Sequence, residues 1–218
     1  MKTIYLLSGP GTTKGYTKEI IKKMKEDLKD ANSISFIASS PDNHEKNMKY
    51  VFGNDEVVGI INHLKEVKTF DKINLIDNSN IDKEALINSD IIYLLGGDTK
   101  SQLEFIKNNK IDLILKDYKG IILGTSCGAM NIATDSYYSK DEDYDKSFFY
   151  KGIGLIDITI DPHFDINNEE QVTEAKNMSF AHKIYGVPND SCIRILDNYI
   201  DLIGQIYIFE DGEMFIGE

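Results

Sequence analysis

Along the chain, short apolar runs alternate with longer segments whose apolar residues recur at three and four spacing. The runs TIYLLS (3–8), SISFIAS (33–39), KINLID (72–77), DIIYLLGG (90–97) and GIILGTS (120–126) have strand length, and each predicts a strand buried on both faces. Between them, YTKEIIKKMKEDLKD, HEKNMKYVFG, DEVVGIINHLKEV, DKEALINS and TKSQLEFIKNNKIDLILKD predict helices. This alternation is the mark of βαβ units. It predicts an α/β fold, doubly wound, with a mostly parallel sheet covered by helices on both faces. Beyond about residue 184 the texture changes to strand-like runs split by Asp-Asn and Asp-Gly turn signals. Antiparallel strands appended to the parallel sheet are expected there. Nothing reads as a linker, a repeat or a low-complexity tract, so one domain over residues 1–218 is expected.

Charge narrows the function classes. The formal net charge of -12, from 24 basic and 36 acidic residues, repels phosphate backbones and anionic membranes, so neither nucleic acid nor a membrane is an expected partner. No window approaches the roughly 18 apolar residues of a membrane span, and the apolar run in MKTIYLLSGPG is too short for a signal peptide. Two cysteines, Cys127 and Cys192, form no disulfide framework and lack metal-site spacing; a cytoplasmic location is expected. Arg194 is the single arginine, and so the single candidate for a two-pronged grip on a carboxylate.

The segment KGIILGTSCGAMNIATD (119–135) carries the strongest chemical signal. Gly124-Thr125-Ser126-Cys127-Gly128 obeys G-x-S-x-G directly after a predicted strand and before a stretch able to start a helix. A sharp strand-to-helix turn projects its middle side chain above the sheet edge, which makes Ser126 the candidate nucleophile. Cys127 then contributes a backbone N–H toward an oxyanion. A glycine-rich turn that merely links strand to helix is the bland alternative, and the strand-turn-helix context counts against it. A serine nucleophile needs a base. His44, His63 and His182 sit in or at the ends of predicted helices among charged residues, where surface or cap roles suffice. His163, in GLIDITIDPHFD, follows a proline that ends a strand, which presents the imidazole beside a turn. YLLGGDTKSQL places Gly96 and Gly97 at another strand end, where open α/β sheets bind ligands, although a tight turn would also explain it. SGPGTTKG has its lysine before the glycine, the reverse of a phosphate loop.

Together, FIASSP (36–41), SDIIYLLGGDT (89–99), GIILGTSCGAMNIA, IDITIDPHFD (156–165) and GQIYIFEDGEMFIGE resemble, in order, segments of the peptidase E and cyanophycinase family of serine peptidases. That family is related in fold to class I glutamine amidotransferase domains, within the flavodoxin-like group. The resemblance implies a serine exopeptidase or dipeptidase acting on a small peptide, without cofactor or metal, and leaves room for a homodimer. Carried over, Ser126 is the nucleophile, His163 the general base, and the N–H groups of Gly97 and Cys127 the oxyanion hole. Asp141 matches the family's acid by its distance from the elbow. Asp190 is the alternative, because Asn189 stands at the position of a glutamate that some descriptions give this role. Cys127 replaces the alanine of the family's SAGA, and Asp98 the asparagine of its GGNT. The arginine that reads an N-terminal aspartate in such dipeptidases has no match in NNEEQVTEAKNMSFAHK, where Lys176 and Lys183 are the cations. Aspartyl specificity therefore does not follow. Two other readings compete: a Cys127-dependent amidotransferase-like enzyme, and a catalytically inactive scaffold with a binding or regulatory role.

Overall fold

The computed structural model describes residues 2–9, 15–54, 57–140, 144–197 and 199–217, and the statements below refer to these. In chain order the first elements are β1 (Thr3–Leu7), α1 (Lys18–Asp27), β2 (Ser33–Ile37), α2 (His44–Phe52), α3 (Ile60–Leu64), β3 (Lys72–Ile76), α4 (Lys83–Asn88) and β4 (Ile91–Leu94). Then come α5 (Thr99–Asn108), α6 (Ile111–Asp117), β5 (Ile121–Thr125), α7 (Cys127–Ile132), β6 (Asp135–Tyr138), β7 (Phe148–Lys151), β8 (Thr159–Pro162) and α8 (Glu169–Met178). The last are β9 (Ile184–Val187), β10 (Cys192–Leu196), β11 (Tyr199–Ile203), β12 (Ile206–Glu210) and β13 (Glu213–Gly217).

The central sheet runs β11-β10-β1-β5-β4-β2-β3, with β1, β5, β4, β2 and β3 mutually parallel and β10 antiparallel to both neighbours. Its strands are apolar on successive residues because helices cover both faces. Ile4, Leu6, Ile92, Leu94 and Ile122 join the core beneath α5, α6 and α7. Tyr5, Leu7, Phe36, Tyr93 and Leu123 point the other way, to Ile20, Met24, Val51 and Leu64 of α1, α2 and α3.

Some expectations need correction. The strand over 72–77 is at the sheet edge, with Lys72 exposed and Ile73 and Asn74 half-buried, so it is not buried on both faces. The helical segment 99–117 is two helices, because Lys110 adopts φ 57° and turns the chain. The carboxyl-terminal strands divide: β10 and β11 extend the parallel sheet, whereas β12 and β13 join β9 and β8 in a separate sheet ordered β13-β12-β9-β8. Phe164, Ile184, Tyr207 and Phe209 form a smaller core under that sheet. β6 and β7 make an antiparallel ribbon beside it. Among the described residues no helix is long and apolar enough to cross a membrane.

Candidate active site

β5 ends at Thr125 and α7 starts at Cys127, so one residue, Ser126, makes the whole turn. It does so at φ 51°, ψ -119°, a conformation costly for any residue with a side chain. The Ser126 N–H donates to the Leu7 carbonyl at 2.8 Å, which ties the turn to β1. A Cβ on Gly124 would come within 2.8 Å of the Ala129 backbone nitrogen, and one on Gly128 would overlap the Leu94 carbonyl. Both glycines are needed for helix and strand to lie this close. Behind the turn, the buried Tyr16 and Tyr93 hydroxyls meet at 3.0 Å, and the Tyr93 hydroxyl reaches Thr125 Oγ1.

His163 follows Pro162 at the end of β8, with φ 57°. Its backbone N–H donates to Ser8 Oγ at 2.5 Å, and its ring joins two groups. Nε2 lies 2.9 Å from Ser126 Oγ, and Nδ1 lies 2.6 Å from Asn189 Oδ1. An amide oxygen only accepts, so Nδ1 carries the proton and the Nε2 lone pair faces the serine hydroxyl. Ser8 Oγ donates in turn to the same Asn189 oxygen at 3.3 Å. Asp141 lies outside the described residues. Asp190 does not make the Nδ1 contact: the amide of the preceding residue occupies that place, and the Asp190 carboxylate accepts from Ser191 Oγ at 3.5 Å.

A buried carboxylate supports the histidine turn from below. Asp161 accepts from Ser139 Oγ at 2.8 Å and from Gln171 Nε2 at 3.0 Å, while Gln171 Oε1 accepts the Asp165 N–H at 3.0 Å. Gln171 therefore spans the turn on either side of His163. Burial pushes the Asp161 carboxyl up to about 6, against the two hydrogen bonds and with help from the Glu174 charge.

The second glycine turn faces the same space. Gly97 has φ 134°, open to glycine alone, and a Cβ there would strike Ser39 Oγ. Ser39 Oγ donates to the Gly96 carbonyl at 2.5 Å, and Gln102 Nε2 donates to Leu95 O at 2.9 Å. Gly97, Ser126, Cys127 and His163 all line one cavity of about 650 Å³. As the first residue of α7, Cys127 has a backbone N–H that needs a partner outside the helix. The Cys127 thiol is buried, 3.4 Å from the Leu95 carbonyl, and burial pushes its pKa well up, so it is no ready thiolate.

Lys140, Glu170 and Glu174 also line this cavity, and Lys140 Nζ pairs with Glu170 at 2.5 Å. Arg194 is engaged elsewhere: its guanidinium holds Asp27 through Nε at 2.7 Å and an Nη at 2.8 Å. Lys183 pairs with Glu210 at 2.9 Å, and Lys176 is not among the lining residues. His44 contacts Asp77 at 2.8 Å, and the His182 ring packs on Phe149 at 4.7 Å. Ser8 and Gln171 were not singled out from sequence. Ser8 had one available signal, its place at the end of a parallel strand.

The sequence profile of Peptidase family S51 matches residues 4–203. Two solved structures share the fold. A peptidase from an acI-B1 Actinobacterium has a TM-score of 0.68 at 12% identity, covering 100% of this chain and 94% of its own. A protein described as a candidate peptidase E from Listeria monocytogenes EGD-e has a TM-score of 0.64 at 18% identity, covering 93% of this chain and 98% of its own. No curated protein matches the sequence.

Proposed function

This chain belongs to Peptidase family S51 and is a serine peptidase, and from that premise we propose that it hydrolyses small peptides, as a dipeptidase or exopeptidase, through an acyl-enzyme on Ser126. The observation that carries this reading is the chain of contacts Ser126 Oγ to His163 Nε2 at 2.9 Å and His163 Nδ1 to Asn189 Oδ1 at 2.6 Å.

Ser126 Oγ attacks the scissile carbonyl carbon while His163 Nε2 takes the hydroxyl proton. The carbonyl oxygen becomes an oxyanion, held by the N–H groups of Gly97 and Cys127. Collapse of the tetrahedral species breaks the C–N bond, and the leaving amine takes the proton from Nε2. Water, losing a proton to the same nitrogen, then attacks the ester, and collapse of the second tetrahedral species breaks the C–O bond, returns that proton from Nε2 to Ser126 Oγ and releases the acid product. Asn189 holds the imidazole tautomer throughout, a task that needs an acceptor oxygen. The arrangement lacks the charge that a carboxylate would bring to the imidazolium.

The parallel order β3-β2-β4-β5, with the elbow at the carboxyl end of β5, supports kinship with flavodoxin-like and class I glutamine amidotransferase-like folds. A serine-directed phosphonate tests the chemistry. It should add to Ser126 in the parent protein, detected by peptide mass, and abolish cleavage of a dipeptide library. Ser126→Ala should lower kcat/KM by roughly a thousandfold or more. Full turnover in that variant would sink the reading.

A further inference from the structure

A second cavity, of about 640 Å³, adjoins the cleft of Ser126, and the two share Gly97, Thr99 and Tyr138. The helix α5 builds one wall. Lys100, Leu103, Glu104 and Lys107 fall at i, i+3, i+4 and i+7, so they occupy one helical face, and all four line the cavity. The ribbon β6–β7 contributes aromatic rings. Tyr138 pairs across it with Phe148, and Tyr150 lies two residues on, on the same face. Phe149, on the opposite face, packs against the smaller core. The ribbon thus splits its aromatic residues, one face for packing and one for the cavity.

The Tyr138 and Phe148 rings stack 5.4 Å apart at an interplanar angle of 3°, and Tyr144 stands edge-on to them at 4.9 and 5.1 Å. Tyr144 remains 40% exposed, and Phe148 and Tyr150 are half-buried. A ring-lined recess left open beside a nucleophile is the kind of surface that recognises a ligand. Charges at the rim narrow the occupant. Lys151 pairs with Asp135 at 2.6 Å and Lys100 with Glu104 at 4.0 Å, which leaves Lys107 and Asp98 to offset each other, so a charged side chain of either sign finds little net attraction there. Successive residues of an extended peptide advance about 3.3–3.6 Å, so a peptide acylating Ser126 can pass over the shared rim of Gly97 and Thr99.

We propose that this cavity is a side-chain subsite that takes an aromatic or large aliphatic residue of a peptide whose scissile carbonyl lies at Ser126. It rests on the peptidase reading for its place relative to the bond cleaved. The ring stack and Leu103 give the apolar contact, and Tyr138, common to both cavities, joins the subsite to the cleft.

The experiment is a dipeptide and tripeptide library in which each position is varied among alanine, lysine, leucine and phenylalanine. The parent protein should show a preference in kcat/KM of about tenfold for phenylalanine or leucine over alanine at one position. Phe148→Ala on the ribbon and Leu103→Lys on the facing helix should each reduce that ratio to about threefold or less. Turnover without an apolar preference, or a preference untouched by both substitutions, overturns the subsite and leaves the peptidase reading intact. If no peptide is cleaved, calorimetric titration with alanyl-phenylalanine against alanyl-alanine separates the two ideas. Phenylalanine-selective binding that both substitutions weaken upholds the subsite and counts against peptide hydrolysis; equal binding of the two dipeptides overturns the subsite.

Discussion

In the proposed mechanism Asn189 takes the place usually given to a carboxylate, and its chemistry sets what substitutions there should do. Its oxygen accepts from Nδ1 of His163 and from Ser8, so the imidazole is held in the tautomer that can receive the Ser126 proton. Asn189→Leu keeps the bulk and removes the acceptor, and should lower kcat/KM by about a hundredfold. Asn189→Asp keeps an acceptor oxygen and should stay within about tenfold of the parent. Steady-state kinetics on one dipeptide checks both, and an Asn189→Leu variant as active as the parent would remove Asn189 from the mechanism. The proposed nucleophile and base could be picked out of the sequence because each follows a strand end marked by glycine or proline. For the third member Asn189 already stands at the family's glutamate position in the sequence, yet the preference there goes to Asp141 and then Asp190. A search for an acid looks for charge, and what the imidazole meets here is a neutral amide chosen by position, after β9 and opposite Ser8.

At the scale of elements, the break between α5 and α6 shows what local pattern leaves out. No glycine or proline stands in NNK (108–110); the chain turns because Lys110 takes a left-handed conformation, at about 1 kcal/mol. Lys110→Gly relieves that cost and should raise the unfolding free energy by roughly 0.5–1 kcal/mol, less what glycine adds to the freedom of the unfolded chain. Urea unfolding of both proteins measures it. On β8, Asp161 ties folding to pH. An unfolded aspartate titrates near ~3.9, and burial pushes the folded group up to about 6. Between those values the folded chain keeps a proton that the unfolded chain has lost, so this group's contribution to stability falls as pH rises. The parent should therefore lose stability relative to Asp161→Asn between about pH 4 and 6, by on the order of 3 kcal/mol, with a constant difference above about pH 7. Parallel unfolding curves across that window would contradict it. The ribbon β6–β7 was hidden for another reason. Its alternating Phe148, Phe149 and Tyr150 border the acidic run SKDEDYDKS, and a charged run reads as solvated loop.

For the whole molecule, β1, β2, β4 and β5 were readable because burial on both faces leaves an uninterrupted apolar run. Which sheet each carboxyl-terminal strand joins was not, since pairings such as β1 with β10 are set by partners far away in the chain. Arg194 belongs to this scale. On β10 it reaches across β1 to Asp27 at the end of α1, and the Tyr5 hydroxyl donates to the same carboxylate at 2.6 Å. Burial opposes the charge on Asp27, but the hydrogen bonds from Arg194 and Tyr5 hold its carboxyl below the usual range. Arg194→Ala strands that carboxylate and should cost about 3 kcal/mol of stability. Cleavage kinetics should be unchanged, because the guanidinium lies outside the cleft. The stabilisation of a lowered carboxyl is present above its unfolded value and lost as pH falls, so the gap between parent and variant should narrow below about pH 4.

β1 and the residue after it clamp both halves of the proposed catalytic pair: Leu7 holds the Ser126 turn, and Ser8 holds His163 and meets Asn189. A ribosome adds the last counterpart of that clamp, residue 189, roughly ten seconds or more after Ser8 at ~5–20 residues per second. Until then β1 also lacks its neighbour β10. While those residues are being added, a growing copy of this chain carries the proposed nucleophile without the Asn189 oxygen that would orient its base, so on the proposed mechanism hydrolysis waits for residue 189.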